Sequence, residues 1–238
     1  MIREARVFAD SDLLTHAVAD ESLRIALDAV SVAGRCSICL SGGTTPKSLN
    51  EVWAREYATR FPWKQIHLFW GDERYVPPDD ERSNFRMARE TLLSRVAIPA
   101  ANIHPMRTDF QHLADAAAAY ESALLDFFGE RPQFDLLFLG VGGEGHIASL
   151  FPGSPALNEP LRWVLAVEVP AEPPGRLTLT YPVINSARNV FFLVEGAKKR
   201  EIVSAIRRDP ELENSPFPAA RVRSTGRVIW FLDQAAAF

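Results

Sequence analysis

A glutamate and a histidine two residues apart, both set among glycines, are the first candidates for chemistry in this sequence: "GVGGEGHIASLFPG" covers residues 140–153. His146 can titrate near neutrality and act as a general base, and Glu144 can orient its imidazole or favour its charged form. Five glycines surround the pair. Glycine costs conformational entropy, so the segment needs positive φ or a close approach of backbone to another group. The other histidines, His16, His67, His104 and His112, have no such setting, and no pair of them suggests a metal site.

Three more stretches carry chemistry. "SGGTTPKS" (41–48) reads as a phosphate cradle. Gly42 and Gly43 let backbone N–H groups face an anion, Thr44 or Thr45 can cap the helix that follows, and Pro46 suits its first turn. The spacing GxxxxGK[ST] is absent, so this is not a P-loop. The alternative is a strand-to-helix turn with no ligand. "GDERYVPPDDERSNFRMA" (71–88) is charged, and Asp72, Glu73 and Arg74 lie nearest a strand end, whereas Ser83 is a natural N-cap. In "EGAKKRE" (195–201), Lys198 and Lys199 sit at a helix start, where a cation opposes the dipole unless it binds an anion; the alternative is a pair of ordinary surface lysines. Arg176 begins a strand after "PPG" and reaches the same place only if that strand runs antiparallel to its neighbours.

Something must bring these stretches together. Short apolar runs predict strands at 36–40, 65–70, 134–139, 163–169, 176–180, 190–194 and 227–232, several apolar without alternation, as in a parallel sheet covered on both faces. Helical spacing predicts helices at 11–30, 45–58, 83–96, 109–128 and 197–208, with 215–222 a proline-rich connector bearing a short helical turn. The alternation implies an α/β fold, an open, mostly parallel twisted sheet with helices on both faces. No linker, repeat or low-complexity segment divides residues 1–238, which predicts a single domain. The candidate residues follow strands, and ligands in such folds bind beyond the carboxyl ends of the strands.

The bulk numbers narrow the function class. The chain is 47% hydrophobic and 24% charged, with a net charge of −4 and no basic stripe, which argues against nucleic acid as a partner. No apolar run suits a membrane span, and "MIREARVFAD" lacks the apolar core of a signal peptide, so the expected location is the cytoplasm. Cys36 and Cys39 form a CxxC within a strand. They lack both the helix N-terminus of a redox pair and the second ligand pair of a zinc site, and read as buried structural cysteines.

"SGGTTP", "GDERYVP…SNFRMA", "LGVGGEGHIASLFPGSPAL", "RLTLTYPVINSA" and "FLVEGAKKREIV" together resemble, in order and spacing, the glucosamine-6-phosphate deaminase/6-phosphogluconolactonase family, on its lactonase side. The resemblance runs from about residue 5 to "VIWFLDQAAA". It implies a deaminase/ribose-5-phosphate isomerase-like fold and hydrolysis of 6-phospho-D-glucono-1,5-lactone in the oxidative pentose phosphate pathway, with no cofactor or metal. It makes His146 the base that activates water. It makes Gly43, Thr44, Lys198 and one or both of Arg74 and Arg176 binders of the phosphate and sugar acid, with Asp72 beside the pocket. Two positions depart from the family. Glu144 stands where Asp-Gly-His is usual, and Ile147 replaces the usual threonine.

Water attack also fits the residues, because no GxSxG nucleophile is present. The alternatives are an amino-sugar-phosphate isomerase or deaminase and a non-catalytic sugar-phosphate sensor. The deaminases place "FNEP" directly after "GHIA", where this chain has "SLFPG" and brings Asn158-Glu159-Pro160 only later. Such sensors are found where this fold is fused to a DNA-binding module, and this sequence is expected to leave no room for a helix-turn-helix segment. The sequence leaves the oligomeric state open.

Overall fold

A computed structural model describes residues 4–209 and 214–238. The chain begins with β1 (Glu4–Phe8) and α1 (Ser11–Ala33), whose start is capped by Asp10 accepting from Leu13 N at 2.8 Å and whose end turns at Gly34, φ 72°. It continues through β2 (Cys36–Leu40), α2 (Thr44–Glu56), β3 (Ile66–Trp70), β4 (Asp72–Arg74), α3 (Asn84–Thr91), β5 (Ile103–His104), α4 (Leu113–Phe128) and β6 (Leu136–Leu139). The remainder is β7 (Val164–Glu168), β8 (Gly175–Leu179), α5 (Tyr181–Ser186), β9 (Asn189–Val194), α6 (Arg200–Arg208), β10 (Arg227–Asp233) and α7 (Gln234–Ala237).

Seven strands form one sheet in the order β1-β10-β9-β6-β2-β3-β5, and every pairing is parallel. All residues of β2 and β6 are buried, so both faces are covered, as their unbroken apolar runs require. Cys36 and Cys39 lie in this interior, and burial pushes both thiols up. Fully burying each Leu, Ile or Phe of this core stabilises by roughly 1.5–3 kcal/mol relative to exposure. At one sheet edge His67 and His104 stack, with Nδ1 and Nε2 3.1 Å apart, beside Phe69 and Phe127.

The apolar runs at 163–169 and 176–180 do not join this sheet. They form β7 and β8, which pair antiparallel with each other and, through β8, with β4 in a separate three-stranded sheet. Their direction depends on which neighbour they pair with, and an apolar run does not encode that. Gly71 links the two sheets: its N–H donates to Leu40 O at 2.9 Å and its carbonyl accepts from Leu179 N at 2.8 Å.

The strand order reverses between β2 and β6. The chain after β2 moves towards β3, and the chain after β6 moves towards β9. That switch point leaves a crevice beyond the strand ends, flanked by the two glycine-rich loops.

Candidate active site

A cavity of about 240 Å³ occupies this crevice. The post-β2 loop contributes Ser41, Gly42, Gly43 and Thr44, and the post-β6 loop contributes Gly140, Gly142 and His146. Asp72 and Arg74 enter from β4, Asn84 from the start of α3, and Glu195 and Lys199 from the segment after β9. Each of the four stretches singled out in the sequence therefore supplies a wall.

His146 Nδ1 lies 2.9 Å from Glu144 Oε1, and the imidazole stacks on Phe151 with ring centroids 4.1 Å apart. Burial raises the Glu144 carboxyl, but its own backbone N–H and the His146 imidazole outweigh that and hold it below the usual range. An ionised carboxylate only accepts, so the proton of this hydrogen bond sits on Nδ1 and the Nε2 lone pair is left for chemistry. A Cβ on Gly142 would stand 2.1 Å from His146 Nδ1, so close approach explains that glycine. His146, just past the end of β6, would be read from the sequence as opening a short helical segment, but residues 146–150 form no helix. They form a tight turn closed by Leu150 N donating to Ile147 O at 2.8 Å, with Ala148 at φ 45°. An L-residue in that region costs about 1–2 kcal/mol, which the surrounding contacts must offset. Ile147, at the position of the family's usual threonine, is fully buried.

On another wall, α2 begins at Thr44 after the N-cap residue Gly43, with φ 108° and no side-chain cap. Neither Thr44 nor Thr45 closes the helix end as expected, so its first N–H groups and the positive end of its dipole remain available to an anion. Arg74 donates through Nη1 to Arg82 O, and its Nε is buried without a hydrogen-bond partner among the described residues. Asp72, 8% exposed, accepts from Ser149 Oγ at 2.8 Å and from Asn84 Nδ2 at 3.2 Å, which fixes both carboxylate oxygens.

Two residues lie elsewhere than the sequence placed them. Lys198 is exposed in the 3-10 turn Ala197–Lys199, and it is Lys199 that lines the cavity. The motif offered both lysines, and the pitch of a turn that the sequence read as α-helix selects between them. Arg176 sits on an antiparallel strand, opposite Arg74, but does not line the cavity. Its guanidinium is buried and donates to the carbonyls of Pro173, at 2.8 Å, and Glu172, at 3.3 Å. Burial lowers its basicity, with Arg74 adding to the effect. Asn84 and Ser149 were missed, since one reads as a helix start and the other as part of a loop; Asn84 shows itself by lining the cavity and holding Asp72, Ser149 only by its contact with Asp72.

Among the described residues no group of three or more His, Cys, Asp or Glu is placed to hold a metal ion, and no helix is long and apolar enough to cross a membrane.

Comparison with known proteins gives a consistent result. The profile of the family described as glucosamine-6-phosphate isomerases/6-phosphogluconolactonase matches residues 9–230. A 6-phosphogluconolactonase from Synechocystis is 46% identical over 212 residues, covering 87% of this chain and 86% of that protein. One from Mycobacterium tuberculosis is 40% identical over 247 aligned positions, covering 100% of this chain and 98% of the relative. The solved 6-phosphogluconolactonase of Trypanosoma brucei superposes with a TM-score of 0.84 at 32% identity, covering 98% of this chain and 97% of that one. A monomeric glucosamine-6-phosphate deaminase, TM-score 0.77 at 20% identity, shares the fold. The chain belongs to the glucosamine-6-phosphate isomerase/6-phosphogluconolactonase family.

Proposed function

We propose that this protein hydrolyses 6-phospho-D-glucono-1,5-lactone to 6-phospho-D-gluconate, with His146 activating the attacking water. The observation that carries the reading is the pairing of His146, its Nδ1 engaged by Glu144, with an uncapped helix N-terminus across the same cavity. One wall supplies a base with a free Nε2, and the other supplies an anion site.

The phosphate docks at Gly43 and Thr44, where the N–H groups and dipole of α2 meet it, with Arg74 and Lys199 neutralising its charge. That anchor holds C1 of the lactone near His146, so binding far from the reacting carbon lowers the barrier there. Nε2 takes a proton as water adds to the carbonyl. Glu144 stabilises the imidazolium that results. The tetrahedral intermediate collapses with loss of the ring oxygen, which receives the proton from His146 as the C1–O bond breaks. A positioned base of this kind contributes roughly 10²–10⁴-fold. Asp72, held by Ser149 and Asn84, stands as a fixed acceptor for a sugar hydroxyl.

The test is the initial rate with freshly prepared 6-phosphogluconolactone, corrected for spontaneous opening, for the wild type and His146→Ala. The variant should fold normally and lose at least a hundredfold in kcat. Turnover close to wild type would remove His146 from the mechanism.

A further inference from the structure

Beside the cavity, but turned away from it, lies a second carboxylate that the mechanism does not use. Glu73 alternates with Asp72 and Arg74 along β4 and is 2% exposed. Its Oε1 accepts from Asn84 N at 2.8 Å and Arg74 N at 2.7 Å. Its Oε2 accepts from Phe85 N at 2.7 Å and Ser83 Oγ at 3.2 Å. Asn84 and Phe85 open α3, so the Glu73 carboxylate satisfies two of the N–H groups that a helix leaves unpaired and lies at the positive end of its dipole.

The residue it holds by the backbone is the one that reaches the site by its side chain. Asn84 Nδ2 donates to Asp72 O at 2.9 Å and to Asp72 Oδ1 at 3.2 Å. On its other side Asn84 packs against the glycine loop so tightly that a Cβ on Gly42 would stand 2.0 Å from Asn84 Oδ1. We infer that Glu73 is a positioning residue: by fixing the start of α3 it sets Asn84, and through Asn84 it sets both Asp72 and the phosphate-binding loop. The inference rests on the reading of that loop as the phosphate site.

The setting makes the clamp sensitive to protonation. Burial pushes the Glu73 carboxyl up to about 7, against the pull of the Asn84, Phe85 and Arg74 N–H groups, and Asp72 adds to the rise. Arg176, paired with Arg74 on β8, reaches it only through its charge, and Arg107 and Asp109 face it across a small cavity shared with Phe85 and Met106. A protonated carboxyl offers a donor where four donors already converge.

The experiment compares wild type with Glu73→Gln and Glu73→Asp, assayed on 6-phosphogluconolactone and on unphosphorylated gluconolactone between pH 6 and 8.5, with folding checked by circular dichroism. Glutamine keeps the volume but puts an NH₂ among the donors. At pH 8.5 its KM for the phosphorylated lactone should rise about tenfold, with kcat within about threefold and a smaller rise, through Asp72 alone, in the KM for the unphosphorylated lactone. The substrate phosphate titrates equally for both proteins, so the KM ratio of variant to wild type is the readout. That ratio should fall towards one near pH 6, where the wild-type clamp is itself protonated. Aspartate, which keeps the charge, should restore part of the loss. A ratio near one at every pH in folded Glu73→Gln overturns the proposal, even if its Tm is lower. Should that variant not fold, Asn84→Ala carries the same tenfold expectation, and a wild-type KM there overturns it. A wild type without preference for the phosphorylated lactone overturns the reading of the cavity, and the proposal with it.

Discussion

Gly142→Ala moves the candidate base without altering it. The new Cβ would stand 2.1 Å from His146 Nδ1, 2.3 Å from its Cε1 and 2.8 Å from Glu144 Oε2. Non-bonded carbon contacts settle near 3.5–4.0 Å, so the imidazole has to retreat by more than about 1 Å. Phe151, stacked on the ring at 4.1 Å, blocks one direction, and the other directions break the 2.9 Å bond to Glu144. Gly142 is not among the positive-φ glycines, so alanine brings no left-handed backbone strain and the effect is confined to the contact. A displacement of about 1 Å costs on the order of 10²-fold, equivalent to about 2.7 kcal/mol in the barrier. The His146 and Glu144 side chains are 28% and 48% exposed and can yield towards solvent, so stability should fall by only about 1 kcal/mol. For a chain of this size that is roughly 2–4 °C in Tm. Initial-rate hydrolysis should show kcat reduced about a hundredfold with KM for the phosphorylated lactone within about threefold, because the start of α2 is built by a different loop and is untouched by the new Cβ. Folded Gly142→Ala with kcat within threefold of wild type would refute the placement of His146 at the reacting carbon.

The two neighbouring lysines should separate cleanly. Lys199→Ala should raise KM for the phosphorylated lactone about tenfold and Lys198→Ala should leave it within twofold; equal effects would contradict the geometry of the 3-10 turn. Glu144→Gln should lower kcat at least tenfold, whereas Glu144→Asp should stay within about an order of magnitude, since position governs the interaction more than one methylene does. Wild-type kcat in Glu144→Gln would leave His146 acting alone. Acid should weaken the sheet edge: burial pushes His104 down to about 4 and, with Arg35 near, also lowers His67. The unfolded chain takes up these protons near pH 6.5 and the folded one only further down, so this contribution is complete above 6.5 and is lost as pH falls towards 4. For the half-buried His104 it amounts to about 2 kcal/mol after discounting for solvent. Glu73 acts in the opposite sense, because its folded form keeps a proton up to about 7 and its contribution declines as pH rises from the unfolded value of 4.5. Urea unfolding at pH 7 and 5 should therefore compare wild type with His104→Phe, which should lose less stability on acidification. Equal losses would remove the histidine pair as the cause.

The central strands were legible because β2, β6 and β9 are buried on both faces and so are written as unbroken apolar runs. Three strands escaped. β1 alternates exposed and half-buried residues, β5 has only two residues, and β4 is Asp-Glu-Arg, a sequence that becomes a strand through its pairing with β8. Four of the site's walls could be found from glycine and charge at strand ends, since the fold class fixes where strand ends gather. What stayed hidden depended on partners. Asn84 and Ser149 matter through Asp72, Thr44 faces an uncapped helix end, and Arg176 turns to carbonyls three and four residues before it in the chain. Side-chain direction of that kind is settled by tertiary contacts that no local spacing records.

Gly196, three residues before Lys199, donates its N–H to both carboxylate oxygens of Asp233 at 3.0 Å. Asp233 ends β10, and β10 is also the strand with which β1 pairs. During synthesis, then, every residue that lines the cavity leaves the ribosome before the strand that braces its last wall, and the first strand waits for the same event. Such a chain cannot acquire activity piecemeal as it emerges. Catalysis should switch on only when residues 227–233 add to the sheet and Asp233 can hold Gly196 in place.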